Sequence, residues 1–108
     1  METKRNKDNE QKVAQRIAEE FSKTYVDPDG NKIESITFYQ KPKYSNDFTD
    51  NITYMFYINN NKEWIVGASV KESSEEIWAY GSDYIELIES QDRIVSKTLK
   101  VNYWEDDE

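Results

Sequence analysis

The chain has no cysteine and no histidine among its 108 residues. Without cysteine it can form no disulfide, thiol nucleophile, Fe–S cluster or Cys-based zinc site. Without histidine it lacks the commonest general base and metal ligand, and Ser-His-Asp and Cys-His catalysis are impossible within it. Leucine occurs only twice. Leu, Ile, Val and Phe together supply 22 residues, near the ~20% below which disorder becomes the default. No apolar run approaches the ~18 residues needed to span a bilayer, and residues 1–11 hold no h-region of a signal peptide. Cations are outnumbered 14 to 22, giving a net charge of −8. That balance repels a phosphate backbone, so no nucleic-acid partner is expected. No cofactor and no metal is expected either.

What is present is aromatic. Eight Tyr and three Trp add burial area of roughly 150–250 Å² each. They tip the balance toward one small folded domain, expected at residues 9–104. Residues 1–8 form a polar lead and residues 105–108 an acidic tail. Isoleucine outnumbers leucine ten to two, which favours a sheet-rich body, because β-branched side chains fit a pleated surface.

Val13, Ile17, Phe21 and Tyr25 recur at helical spacing from about Asn9, with Asp8 or Asn9 as the cap. Asp27-Pro28-Asp29-Gly30-Asn31 ends that helix as a turn. A calcium loop would need its glycine sixth and a glutamate twelfth, and here glycine is fourth and the twelfth residue is Phe38. Ile33 to Lys41 reads as a strand ended or marked as an edge by Pro42. Lys43 to Asn51 reads as a polar loop around Tyr44 and Phe48. Ile52 to Ile58 and Trp64 to Val70 alternate cleanly and form a hairpin about an Asn59-Asn60-Asn61-Lys62 turn. Glu76 to Tyr80 can be a strand, and Asp83 to Glu89 a short helix capped by Ser82. Ile94 to Tyr103 predicts the last strand. The expected fold is α+β, with one N-terminal helix packed on an antiparallel sheet of about four strands.

The net charge has an address. Residues 72–92 carry Glu72, Glu75, Glu76, Asp83, Glu86, Glu89 and Asp92 with no Lys or Arg. A solvated face is the plain reading of such a run. The sharper reading is an acidic surface that steers a basic partner. Glu72, Glu75 and Glu76 make a poor acid/base pair, because catalytic carboxylates need a buried member with a shifted pKa and the adjacent serines read as loop. Trp64, Trp78, Tyr80 and Trp104 can form core or platform. Trp78 and Tyr80, embedded among carboxylates, are the better candidates for exposure, with Trp104 next. The partner-binding residues expected are Glu75, Glu76, Trp78, Tyr80, Asp83 and Glu86. An open sheet edge is a further candidate, since it can accept a partner's strand.

One likeness lies in the order of features. A helix precedes Glu34-Ser35-Ile36-Thr37-Phe38, then the Tyr57-Ile58-Asn59-Asn60-Asn61-Lys62 hairpin turn and the Val70-Lys71 strand end. Over about residues 10–75 this resembles a family of short Firmicute lipoproteins of unknown function. The resemblance implies a secreted domain, lipid-tethered on the outer face of a Gram-positive membrane, with no catalytic residues. The lipidatable Cys of that pattern is not in this sequence, so membrane contact is expected only through an anchor outside it. The first expectation is therefore a non-enzymatic extracytoplasmic domain that binds a protein or peptide. The alternative is an intracellular acidic inhibitor or immunity-type protein that blocks a basic enzyme. An enzyme using Asp, Glu, Tyr and Lys ranks third.

Overall fold

The computed structural model describes residues 7–45 and 50–105. Most of the expected lead, Phe48 and the end of the acidic tail lie outside these residues. Helix α1 spans Lys7–Thr24. It begins before Asn9, so Asp8 sits in its first turn with Glu10 instead of capping from outside. There both carboxylates face the positive end of the helix dipole. Val13, Ala14, Ile17, Ala18 and Phe21 form its buried stripe, at the predicted spacing.

Eight strands follow: β1 (Tyr25–Val26), β2 (Ser35–Phe38), β3 (Lys43–Tyr44), β4 (Ile52–Ile58), β5 (Asn61–Val70), β6 (Ile77–Gly81), β7 (Ile88–Glu89) and β8 (Lys100–Asn102). Among the described residues six of them make one sheet, ordered β6-β5-β4-β2-β8, with β3 also on β4. β1 and β7 pair separately. The fold is α+β with one helix packed on a sheet. That sheet is larger than the expected four strands, and it is mixed. β8 runs parallel to β2, with Ile36 opposite Val101. The chain leaves β6 at one side of the sheet and residues 82–99 carry it to the other side, a long crossover of the kind a parallel entry requires.

The hairpin forms as its alternation predicts. Ile52, Tyr54, Phe56 and Ile58 are buried on β4, and Val66, Ala68 and Val70 on β5. Phe21 of the helix meets Phe56 edge-on at 5.2 Å between ring centroids, which docks the helix on this face. The turn is tighter than the four residues expected. Asn59 and Asn60 alone turn the chain, with φ of 50° and 59°, and β5 already begins at Asn61. Two consecutive left-handed residues match the twist of the flanking strands.

Asn59 also holds a second turn. Its side-chain amide donates to Asp27 Oδ2 at 2.8 Å, and its Oδ1 accepts from the Glu34 N–H at 2.7 Å. Asp27 Oδ1 accepts the N–H groups of Asp29 and Asn31 at 2.9 and 2.8 Å. The buried Asp27 carboxylate is thus directed at N–H donors of its own loop and of the hairpin, as a turn requires. Gly30 supplies the positive φ of 85°.

Elsewhere local sequence misleads. The Ile33 to Lys41 strand is only Ser35–Phe38, and it resumes beyond Pro42 as β3 where a loop is expected. Both pieces pair with β4, so residues 39–42 bulge between them. The short helix at Asp83 to Glu89 is absent. Ser82 Oγ accepts the N–H groups of Tyr84 and Ile85, each at 3.0 Å, as a cap would. The chain then extends into β7 because β1 offers it a ladder. The last strand shrinks from Ile94–Tyr103 to Lys100–Asn102. Ahead of it the hydroxyls of Ser96 and Thr98 donate to Glu34 at 2.9 and 2.6 Å and hold those residues as turns.

Among the described residues one buried side-chain group, the Ser35 hydroxyl, has no hydrogen-bond partner. A buried hydroxyl without a partner costs stability. Ser35→Ala should therefore leave the melting temperature unchanged or raise stability by up to about 1 kcal/mol. A clear loss of stability in a thermal melt would contradict this account of the site.

Candidate functional site

The acidic segment starts with a turn. Glu75 has a φ of 62°, its N–H donates to the Lys71 carbonyl at 2.6 Å, and the Lys71 N–H returns to the Glu76 carbonyl at 2.9 Å. This turn is fixed from both sides. Ser73 donates to Asp50 through its hydroxyl at 2.6 Å and its N–H at 2.8 Å. Those two bonds, the hydroxyl first, hold the Asp50 carboxyl below its ordinary range. On the helix side Asn9 donates to Glu75 Oε2 and Arg16 to the Glu75 carbonyl, both at 2.6 Å.

β6 then separates its aromatics. Tyr80 pairs with Ala68 and Ile77 with Val70, and both pack against the core, although they lie three positions apart. The register shift between Ser69 and Val70 makes room for Trp78 as an extra residue. Trp78 stays 55% exposed, and its indole N–H donates to Asn51 Oδ1 at 3.1 Å. It borders a cleft of about 550 Å³ with Asp50, Asn51 and Lys71. Tyr80 turns the other way. Its ring lies edge-on to Phe21 at 5.1 Å, and its hydroxyl donates to Glu20 at 2.8 Å. Burial, reinforced by that hydrogen bond to Glu20, pushes the Tyr80 phenol far above its ordinary range.

Ser82 anchors the next turn by donating to the Ile65 carbonyl at 2.6 Å. Beyond it Ile85 and Leu87 pack partly against the core, while Tyr84 is 65% exposed and Ile88 is also exposed. At the end of the segment Glu89 pairs with Arg93 at 3.2 Å and Asp92 with Lys32 at 3.1 Å. The Lys32 ammonium, then the Ile94 N–H and the Ser90 hydroxyl, hold the Asp92 carboxyl below its ordinary range.

The six expected partner-binding residues therefore divide. Glu75 and Tyr80 are bonded to helix α1. Glu76, Trp78, Asp83 and Glu86 face solvent. Among the described residues Glu76, Asp83 and Glu86 make no ion pair and no side-chain hydrogen bond. Trp104, second in line for exposure, is 5% exposed and packs edge-on to Phe38. Sequence reasoning missed Tyr84 and Ile88 as surface residues by placing them in a short helix at Asp83 to Glu89. Their neighbours Asp83, Glu86 and Glu89 were the available signal. A cleft of about 780 Å³ lies at the other end of the sheet, between residues 37–43 and 103–105. It contains none of the six. Its lining mixes Lys41 and Lys43 with Glu105, beside Tyr103 and Trp104 packed on the buried Phe38.

Among the described residues no three Asp or Glu side chains are grouped to hold a metal ion, and no helix is long and apolar enough to cross a membrane. No family model matches the chain, and neither a curated protein nor a solved structure is similar to it.

Proposed function

We propose that the protein is a non-enzymatic binding domain that takes a basic protein or peptide through the acidic, aromatic-bearing surface of residues 76–88. One observation carries this reading. Of the five large hydrophobic side chains exposed among the described residues, Trp78, Tyr84 and Ile88 lie in this short stretch, interleaved with the unpaired Glu76, Asp83 and Glu86. An apolar contact rimmed by uncompensated carboxylates suits a cationic ligand that also buries apolar surface. Glu75 and Tyr80 are better understood as supports, because their polar atoms are bonded to the helix. The likeness to Firmicute lipoproteins supports an extracytoplasmic, membrane-tethered setting for this activity.

The test is a triple charge reversal, Glu76→Lys, Asp83→Lys and Glu86→Lys, titrated with a lysine-rich peptide carrying one aromatic residue. Binding should weaken by at least about tenfold, and the parent affinity should fall as salt rises. Indifference to both changes would remove the acidic surface as the site. The alternative, an intracellular inhibitor, rests on the same unpaired carboxylates. Loss of a basic enzyme's activity on binding, with no membrane association of the native protein, would select it.

A further inference from the structure

β6 is an outer strand of the six-stranded sheet and, among the described residues, pairs only with β5. In an antiparallel pair every second residue points its N–H and C=O away from the partner. Among the described residues no backbone group of residues 77–81 bonds to anything beyond β5. Such an edge is a template for one more strand.

Most natural edges are blunted by lysine, proline, a strong bulge or a covering element. β6 holds no lysine and no proline, and its bulge at Trp78 interrupts the ladder toward one end only. It is flanked instead by carboxylates, Glu76 just before it and Asp83 and Glu86 just after it, all exposed. Those charges discriminate between occupants. A second copy's β6 would set like charges against each other at both ends, which opposes edge-to-edge dimers. A strand with a basic residue near each end would be drawn to the same place. Glu76 lies at the turn before β6 and Asp83 in the turn that Ser82 anchors after it, so the two bracket a five-residue strand. At ~3.3 Å per residue the five residues of β6 span about 16 Å, so a partner strand of that length carries its basic residues at its two ends.

We propose that β6 accepts an extended peptide segment as an added strand, its two ends marked by Lys or Arg and its middle apolar enough to contact Trp78. The proposal rests on the acidic-surface reading above and adds the mode of binding and the form of the partner. Backbone hydrogen bonds supply the register and affinity. The terminal carboxylates supply selection for basic ends.

A blocked peptide of alternating threonine and valine with lysine at each end is the probe. Two analogues carry N-methyl groups on alternate residues, one for each edge of the peptide strand. The parent peptide should bind the full chain and slow amide exchange at alternate residues of β6. One analogue should lose at least about tenfold in affinity and the other should bind like the parent, because only one peptide edge pairs with β6. If both analogues bind like the parent and charge reversal still weakens them, strand addition is wrong and the acidic surface stands. If neither parent nor analogues bind at low salt, both readings fail. If the β6 amides are already protected in a dimer of the free chain, the edge belongs to a second copy and the proposal is overturned.

Discussion

Phe21→Ala should lower the unfolding free energy by about 3–5 kcal/mol, read as a drop in the urea midpoint at unchanged slope. Phe21 is fully buried on helix α1. Its ring contacts Tyr25 at 4.8 Å, Tyr80 at 5.1 Å and Phe56 at 5.2 Å, so three separate elements meet on it. Removing it leaves a cavity bounded by rings that cannot collapse without shifting a strand. A domain of this size has a total stability of about 5–15 kcal/mol, so the loss is a large fraction of the whole. Phe21→Leu should recover much of the loss by restoring volume. An unchanged urea midpoint for the alanine variant would contradict the docking of the helix through this residue.

Alkali should unfold the protein cooperatively once the pH passes about 10. Tyr54 and Tyr80 are both held protonated well above the ordinary phenol range. For Tyr54 the first cause is burial, and the nearby carboxylates of Glu10 and Glu75 add to it while Arg16 opposes. In the unfolded chain these phenols ionise near pH 10. Between that value and the raised native one, the unfolded state binds fewer protons than the native state. Stability is therefore fully present below about pH 10 and declines as pH rises beyond it. Tyrosinate absorbance near 295 nm should include a step that coincides with loss of the circular dichroism signal. The double variant Tyr54→Phe and Tyr80→Phe should lose less stability between pH 8 and pH 11 than the parent. Equal losses would assign the alkaline transition to other groups.

The parts of this fold that sequence made legible are those whose information is local. The β4–β5 hairpin announces itself because each strand alternates over many residues and the asparagines between them tolerate left-handed geometry. The helix stripe is legible for the same reason at a different period. β8 is legible only as a strand somewhere within Ile94 to Tyr103, and its three-residue extent is not, because Lys100-Val101-Asn102 holds one apolar residue. Its place beside β2 depends on Ile36 and Thr37, which lie far back in the chain. The site shows the same division. Exposure of Trp78 follows from its carboxylate neighbours. The inward anchoring of Glu75 depends on Asn9, 66 residues away, and no pattern around Glu75 encodes that bond. Tyr80 needed knowledge of the bulge at Trp78, which places Tyr80 toward Phe21 with Trp78 left outside. The missing helix at Asp83 to Glu89 had a real cap in Ser82. It lost to pairing with β1, a tertiary competitor invisible in a short window.

The parallel strand β8 has a kinetic consequence. The hairpin closes over neighbouring residues and can form in microseconds, whereas β8 must find a strand some 65 residues upstream, as the Asn102 to Thr37 bond records. During synthesis on a ribosome that edge of β2 waits unpaired until residues 100–102 emerge. In that interval the far side of β2 is a bare template of Ser35 to Phe38, open to whatever extended chain is nearby. Misassociation is thus most favoured in the interval before β8 emerges, and β8 acts as the built-in cover that ends the exposure.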